Sequence, residues 1–131
     1  MRRIDKIILH CSAFSKPHDI ETVRAWHKQR GFKDVGYHYF ITFKGQIQEG
    51  RTLETIGAHC EGFNTTSVGI CLAGLLLKDF TRMQFKSLKG LLKELKQKYP
   101  KAKVYGHHDF NKKKECPVYD VAPLQDYWDD L

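Results

Sequence analysis

Residues 4–9 carry Ile4, Ile7, Ile8 and Leu9 and read as a buried central strand. The run ends at His10-Cys11-Ser12-Ala13. Residues 14–19 form a loop broken by Pro17, and Asp19 is placed to cap a helix over 20–30. Ile20, Val23, Trp26 and His27 fall at helical spacing on its inner face, and Gly31 stops it. Gly36 leads into a strand over 37–43, rich in aromatic and β-branched residues. Lys44-Gly45 makes a turn, and 46–49 returns as the partner. Residues 51–66 are long and irregular, a kind of loop that tends to be functional. Residues 67–74, with Val68, Ile70, Cys71 and Leu72, form another buried strand. Thr81 followed by Gln84 is a capping box, opening a helix that runs to about Tyr99 and stops at Pro100. Phe85, Leu88, Leu91, Leu92, Leu95 and Tyr99 make its apolar stripe. Lys86, Lys89, Lys93 and Lys96 lie largely off that stripe, on a solvated face. A short strand over 102–105 and a closing helix over 122–128 complete the order β-α-β-β-β-α-β-α. That order predicts an α/β fold: a single domain over residues 1–131, with helices packed on a central mixed sheet.

Composition changes this picture little. A chain of 131 residues with 41% apolar and 28% charged residues can bury a core without staples. The net charge of +7 favours polyanionic partners, either nucleic acid or an anionic cell envelope, although simple solubility accounts for it equally well. No internal repeat or low-complexity segment interrupts the pattern. Residues 1–6 open straight into a strand pattern without a long apolar segment, so no signal peptide is expected. No apolar run approaches the roughly 20 residues that span a membrane. Cys11, Cys60, Cys71 and Cys116 form no C-x-x-C pair and are expected to be reduced thiols in a cytosolic product.

Candidate chemistry gathers around residues 105–117. His107 and His108 follow a short strand, and Cys116 comes nine positions after His107. Imidazole and thiolate suit zinc, and three protein ligands plus a water make the open, catalytic arrangement. Taken alone the pair is a weak signal, since a His/Cys pair at this spacing is often no more than a solvated loop with one buried thiol. His10, at the end of a rigid strand, is a candidate third ligand or else a hydrogen-bonded core histidine. Tyr37 begins a strand beside a glycine, where it either faces a cleft or is half-buried for structure.

Four stretches then line up in order: Leu9-His10-Cys11-Ser12-Ala13; Asp34-Val35-Gly36-Tyr37-His38; Gly57-Ala58-His59 with Asn64-Thr65-Thr66-Ser67-Val68-Gly69-Ile70; and Gly106-His107-His108-Asp109 with Cys116-Pro117. Together they resemble the zinc-dependent N-acetylmuramoyl-L-alanine amidases of the type 2 amidase and peptidoglycan-recognition superfamily, most of all its small phage lysozyme-amidases. The likeness covers residues 7–120. It implies the peptidoglycan-recognition-protein-like fold and one zinc ion held by His10, His107 and Cys116. It implies further that Tyr37 and Lys114 are catalytic, and that His59 and Asn64 bind substrate from the groove loop. Zinc with three protein ligands lowers the pKa of a bound water to about 7. Lys114 and Tyr37 could stabilise a developing oxyanion. No carboxylate is assigned as general base. One departure stands out: seven residues, 109–115, separate the histidine pair from Cys116, where the phage pattern has six. Taking His108 as the ligand would restore the usual spacing. His107 is favoured because the ligand follows the glycine directly and the loop can absorb one residue. The same extra residue makes Lys113 a possible substitute for Lys114.

The leading expectation is therefore hydrolysis of the bond between N-acetylmuramic acid and L-alanine in peptidoglycan. The enzyme would be made in the cytoplasm and act on the cell wall after release, as a phage, prophage or bacterial wall enzyme, and as a monomer. Its positive charge would help it approach an anionic wall. The alternative is a regulatory protein that uses the same fold to bind a partner such as RNA polymerase, as the resemblance to phage lysozymes allows. A nucleic-acid module is suggested only by charge and lacks any supporting motif, so no nucleic-acid partner is expected. A receptor without catalysis typically lacks the cysteine, which is present here.

Overall fold

A computed structural model describes residues 2–131. The strands are β1 (Lys6–Cys11), β2 (Tyr39–Ile41), β3 (Ile47–Glu49), β4 (Ser67–Leu72) and β5 (Lys103–Gly106). The helices are α1 (Ile20–Gln29), α2 (Arg82–Lys98) and α3 (Ala122–Asp129), with short 3-10 turns at Asn64–Thr66, Leu77–Asp79 and His107–Asp109. The strands form one mixed sheet in the order β3-β2-β4-β1-β5. β1 runs parallel to both β4 and β5, β2 is parallel to β4, and β3 is antiparallel to β2.

Side chains alternate across a strand, which sorts each strand's residues between two layers. Ile7 and Leu9 of β1 join Val68, Ile70 and Leu72 of β4 on one face. The α2 stripe of Leu88, Leu91, Leu92 and Leu95 covers that face together with Leu124 and Trp128 of α3. Each such leucine contributes roughly 1.5–3 kcal/mol by leaving water. On the other face Ile20 and Val23 of α1 pack on Phe40 and Cys71. His10, next to Leu9, belongs to this second face.

The helix ends follow their caps. Asp19 accepts from Thr22 N at the start of α1, and Gly31 takes φ +94° just past its end. The capping box of α2 is complete: Thr81 Oγ1 accepts from Gln84 N, and Gln84 Oε1 accepts from Thr81 N. The buried Gln84 amide also donates to Ile41 O and Ala73 O, tying the helix to the ends of β2 and β4. Trp128 Nε1 anchors α3 on Ala102 O.

The strand expected over 37–43 is shorter. Tyr37 and His38 precede β2, and Thr42 already belongs to the hairpin, accepting from Gly45 N through its carbonyl. β1 reaches further than its apolar run, because His10 and Cys11 continue the parallel pairing with Cys71 and Leu72. Among the described residues no helix is long and apolar enough to cross a membrane.

Candidate active site

β1 and β5 are neighbours in register, with Leu9 opposite Gly106. The residue after each therefore leaves the same end of the sheet, and the His10 and His107 rings stand 4.6 Å apart. Cys116 returns to this point. Its Sγ accepts from Cys11 N at 2.9 Å, and its carbonyl accepts from His108 N at 2.8 Å. Tyr119 donates from its hydroxyl to His10 O, fastening β1 from beneath. The result is a triangle: one ligand atom each from His10, His107 and Cys116, all within 4.8 Å of one another. His108 is not part of it; its Nε2 lies 3.6 Å from Asp109 Oδ1. All four cysteines are free thiols.

Both imidazoles of the triangle are held neutral. Burial, then the neighbouring His59 and His107 rings, keep His10 well below the usual histidine range. Burial, then Lys114 and His108, lower His107. A neutral ring keeps one nitrogen lone pair free to ligate. Nearby, Tyr37 sits with its ring 5.1 Å from His10. Burial, then the Cys71 and Cys116 thiols, raise its hydroxyl well above the usual range, so it stays a proton donor.

A cleft of about 710 Å³ opens over this end of the sheet. Tyr37, His59, His107, Lys114 and Cys116 line it, together with Trp26 of α1 and Arg30, the residue that caps the end of that helix. Lys114 thus faces the cleft from the 107–116 loop. Lys113 does not line it; its backbone N–H donates to Asn111 Oδ1.

The 50–66 loop supplies the remaining wall. Asn64 Oδ1 accepts from both His59 N and Cys60 N at 2.9 Å, which fixes the backbone around His59. The His59 ring, 8% exposed, lies against His10. Its Nδ1 is 2.8 Å from His10 Nε2, and its Nε2 is 3.2 Å from Ser67 Oγ. Burial lowers its pKa to about 3. Behind it His38 donates to Thr55 O and accepts from Gly69 N. Across the cleft floor, His27 Nδ1 accepts from Gly36 N.

Three contributors escaped the reading of the sequence. Cys11 lends its backbone N–H to the Cys116 sulfur, Ser67 meets His59, and Gly69 gives the His59 ring its room. Each lies inside a stretch already singled out, but only the tertiary contact shows what it does.

A profile of the N-acetylmuramoyl-L-alanine amidase family matches residues 1–119. The chain belongs to that family. This amidase accordingly hydrolyses the amide between N-acetylmuramic acid and L-alanine in peptidoglycan. It is 40% identical over 124 residues to the endolysin of Enterobacteria phage K11, covering 88% of this chain and 82% of that one. It is 37% identical over 134 residues to the endolysin of Escherichia phage T7, covering 95% and 85%. Among solved structures, the amidase LysC from Clostridium intestinale superposes with a TM-score of 0.86 at 28% identity, over 98% of this chain and 85% of that one. Drosophila PGRP-LB superposes at 0.81 and 27% identity, over 89% and 76%.

Proposed function

We propose that this amidase is a zinc enzyme whose metal is held by His10, His107 and Cys116. The observation that carries the reading is the triangle of two neutral imidazoles and one thiol at the edge of the cleft. The donor set fits the metal: nitrogen and sulfur ligands suit zinc, and three of them leave a position open. Bound there, zinc supplies Lewis acidity and makes a nucleophile available from water at neutral pH.

The chain's own residues do the rest. Tyr37 keeps its proton and offers it as a hydrogen bond to the scissile carbonyl oxygen as charge develops there. Lys114 brings a positive charge to the same side of the cleft, close enough to His107 to lower its pKa. Trp26 and Arg30 frame the wall against which the substrate lies. Asn64 acts through the shape of the groove loop, which its side chain holds.

The kinship with phage endolysins, together with the net charge of +7, supports a phage or prophage lysis enzyme acting on an anionic cell wall after release. Peptidoglycan or a muropeptide is its partner, engaged by a monomer.

The test is metal content and product release together. Purified protein should carry zinc and liberate L-alanine-terminated peptide from peptidoglycan, and Cys116→Ser should lose both. Protein that cleaves peptidoglycan equally well after complete zinc removal would sink the metal assignment.

A further inference from the structure

The loop that walls the cleft delivers a histidine to the back of another histidine. His59 places Nδ1 at 2.8 Å from His10 Nε2, and its other nitrogen reaches Ser67 Oγ at 3.2 Å. The position is built. A Cβ added to Gly69 would come within 2.6 Å of the His59 ring carbons, and one added to Gly57 within 2.8 Å. Two glycines thus clear the slot that the ring occupies. Asn64 clamps the His59 backbone, and the second face of β4 supplies Ser67. With both nitrogens engaged, the ring keeps no polar atom free for substrate.

Proton arithmetic fixes the direction of the bonds. A neutral imidazole has one donor and one acceptor. Were His59 Nδ1–H to donate to His10 Nε2, His10 would carry its own proton on Nδ1 and have no lone pair for a metal. The opposite arrangement leaves one. His10 Nε2–H donates to His59 Nδ1, His59 Nε2–H donates to Ser67 Oγ, and His10 Nδ1 keeps its lone pair. Metal-bound histidines generally donate their second N–H to an outer partner, which sets tautomer and ring rotation. Here that partner is itself an imidazole.

We propose that His59 is a positioning residue for the metal site, acting through His10 and braced by Ser67, rather than a contact for substrate. This rests on the zinc reading above. Its test reads metal binding instead of turnover. Zinc affinity is measured by chelator competition in wild type and in His59→Leu, His59→Asn and Ser67→Ala. His59→Leu removes the acceptor at similar bulk and should weaken zinc binding roughly 10- to 100-fold. His59→Asn puts Oδ1 near the place of Nδ1 and should recover most of that loss. Ser67→Ala should cost less than His59→Leu. In zinc-loaded wild type, nitrogen-15 NMR of the His10 ring should show Nε2 protonated and Nδ1 metal-bound.

A folded His59→Leu protein that binds zinc as wild type does overturns the proposal. So does an NMR spectrum with His10 protonated on Nδ1 and metal-bound at Nε2, a measurement that needs no variant to fold. A Leu variant that loses affinity with an Asn variant that recovers none of it also counts against the hydrogen bond. Wild type that takes up no zinc overturns the zinc reading and this proposal together. Wild type that binds zinc beside an unaffected Leu variant overturns this one alone.

Discussion

The two faces of the sheet are built on different terms. Against α2 and α3, strands β1 and β4 present Ile7, Leu9, Val68, Ile70 and Leu72, and the helices answer with leucines and Trp128. A few polar anchors, such as the Gln84 amide and Trp128 Nε1, orient the helices there, and most of the stability follows the apolar area removed from water. On the other face the same two strands present His10 and Gly69, and the histidines 27, 38 and 59 are buried around them. There buried polar atoms need specific partners, and among the described residues no fully buried side-chain nitrogen or oxygen lacks a hydrogen bond. One face holds the strands still, and the other uses that stillness to keep an unfavourable cluster of rings in place. Substitutions should therefore separate cleanly into losses of fold and losses of function.

The largest effect is expected at the triangle. His107→Ala should reduce bound zinc from near-stoichiometric to trace levels and abolish peptide release, whereas His108→Ala should keep both. Metal analysis beside a turnover assay decides this, and the reverse result would move the ligand to His108. Next come Tyr37→Phe and Lys114→Ala, which should retain zinc and a native circular dichroism spectrum yet lose about a hundred- to a thousandfold in rate. Lys113→Ala should change little; a collapse there with an intact Lys114 variant would transfer the role.

Leu92→Ala tests the other face. It should cost about 2–5 kcal/mol in denaturant unfolding and leave zinc content and rate per folded molecule unchanged. Loss of zinc in that variant at low temperature would show the two faces to be coupled.

A smaller effect distinguishes the faces by pH. Burial, then nearby arginines, hold His27 to about 4, and burial holds His38 to about 4. Each accepts a backbone N–H on Nδ1, which a protonated ring cannot do. The unfolded chain takes up these protons below about 6.5 and the folded one does not. The unfolded state then binds more protons, so stability falls as pH drops from about 6.5 toward about 4 and is fully present above that window. Thermal melts of metal-free protein should show this slope, and His27→Asn, which keeps an acceptor but does not titrate, should flatten part of it. Smallest of all, Lys103→Ala breaks an exposed pair with Asp129 that belongs to neither face, and should shift stability by less than about 1 kcal/mol.

What was legible in the sequence follows from how local each cause is. α2 announces itself through Thr81, Gln84 and a leucine stripe, all within a few turns. The parallel strands show as short apolar runs because both of their faces are buried. The triangle's members could be named from their motifs, since His10 and His107 each sit where a strand ends. The link from His59 to His10 joins residues far apart in sequence, and no local pattern encodes it. Likewise Tyr37 reads as a strand residue by composition, yet the pairing that defines β2 begins two residues later.

The strand order has a consequence for how the enzyme is made. β1 is synthesised first, but it lies between β4 and β5, and β5 is the last strand to emerge. Contacts across nearly the whole chain must form before the sheet is complete, which is a slow kind of topology. His10 waits at one end of the chain for His107 and Cys116 at the other. A chain in which the segment holding β5 and Cys116 has not yet folded onto β1 thus holds no complete triangle. Completion of the proposed metal site is thereby tied to completion of the sheet itself.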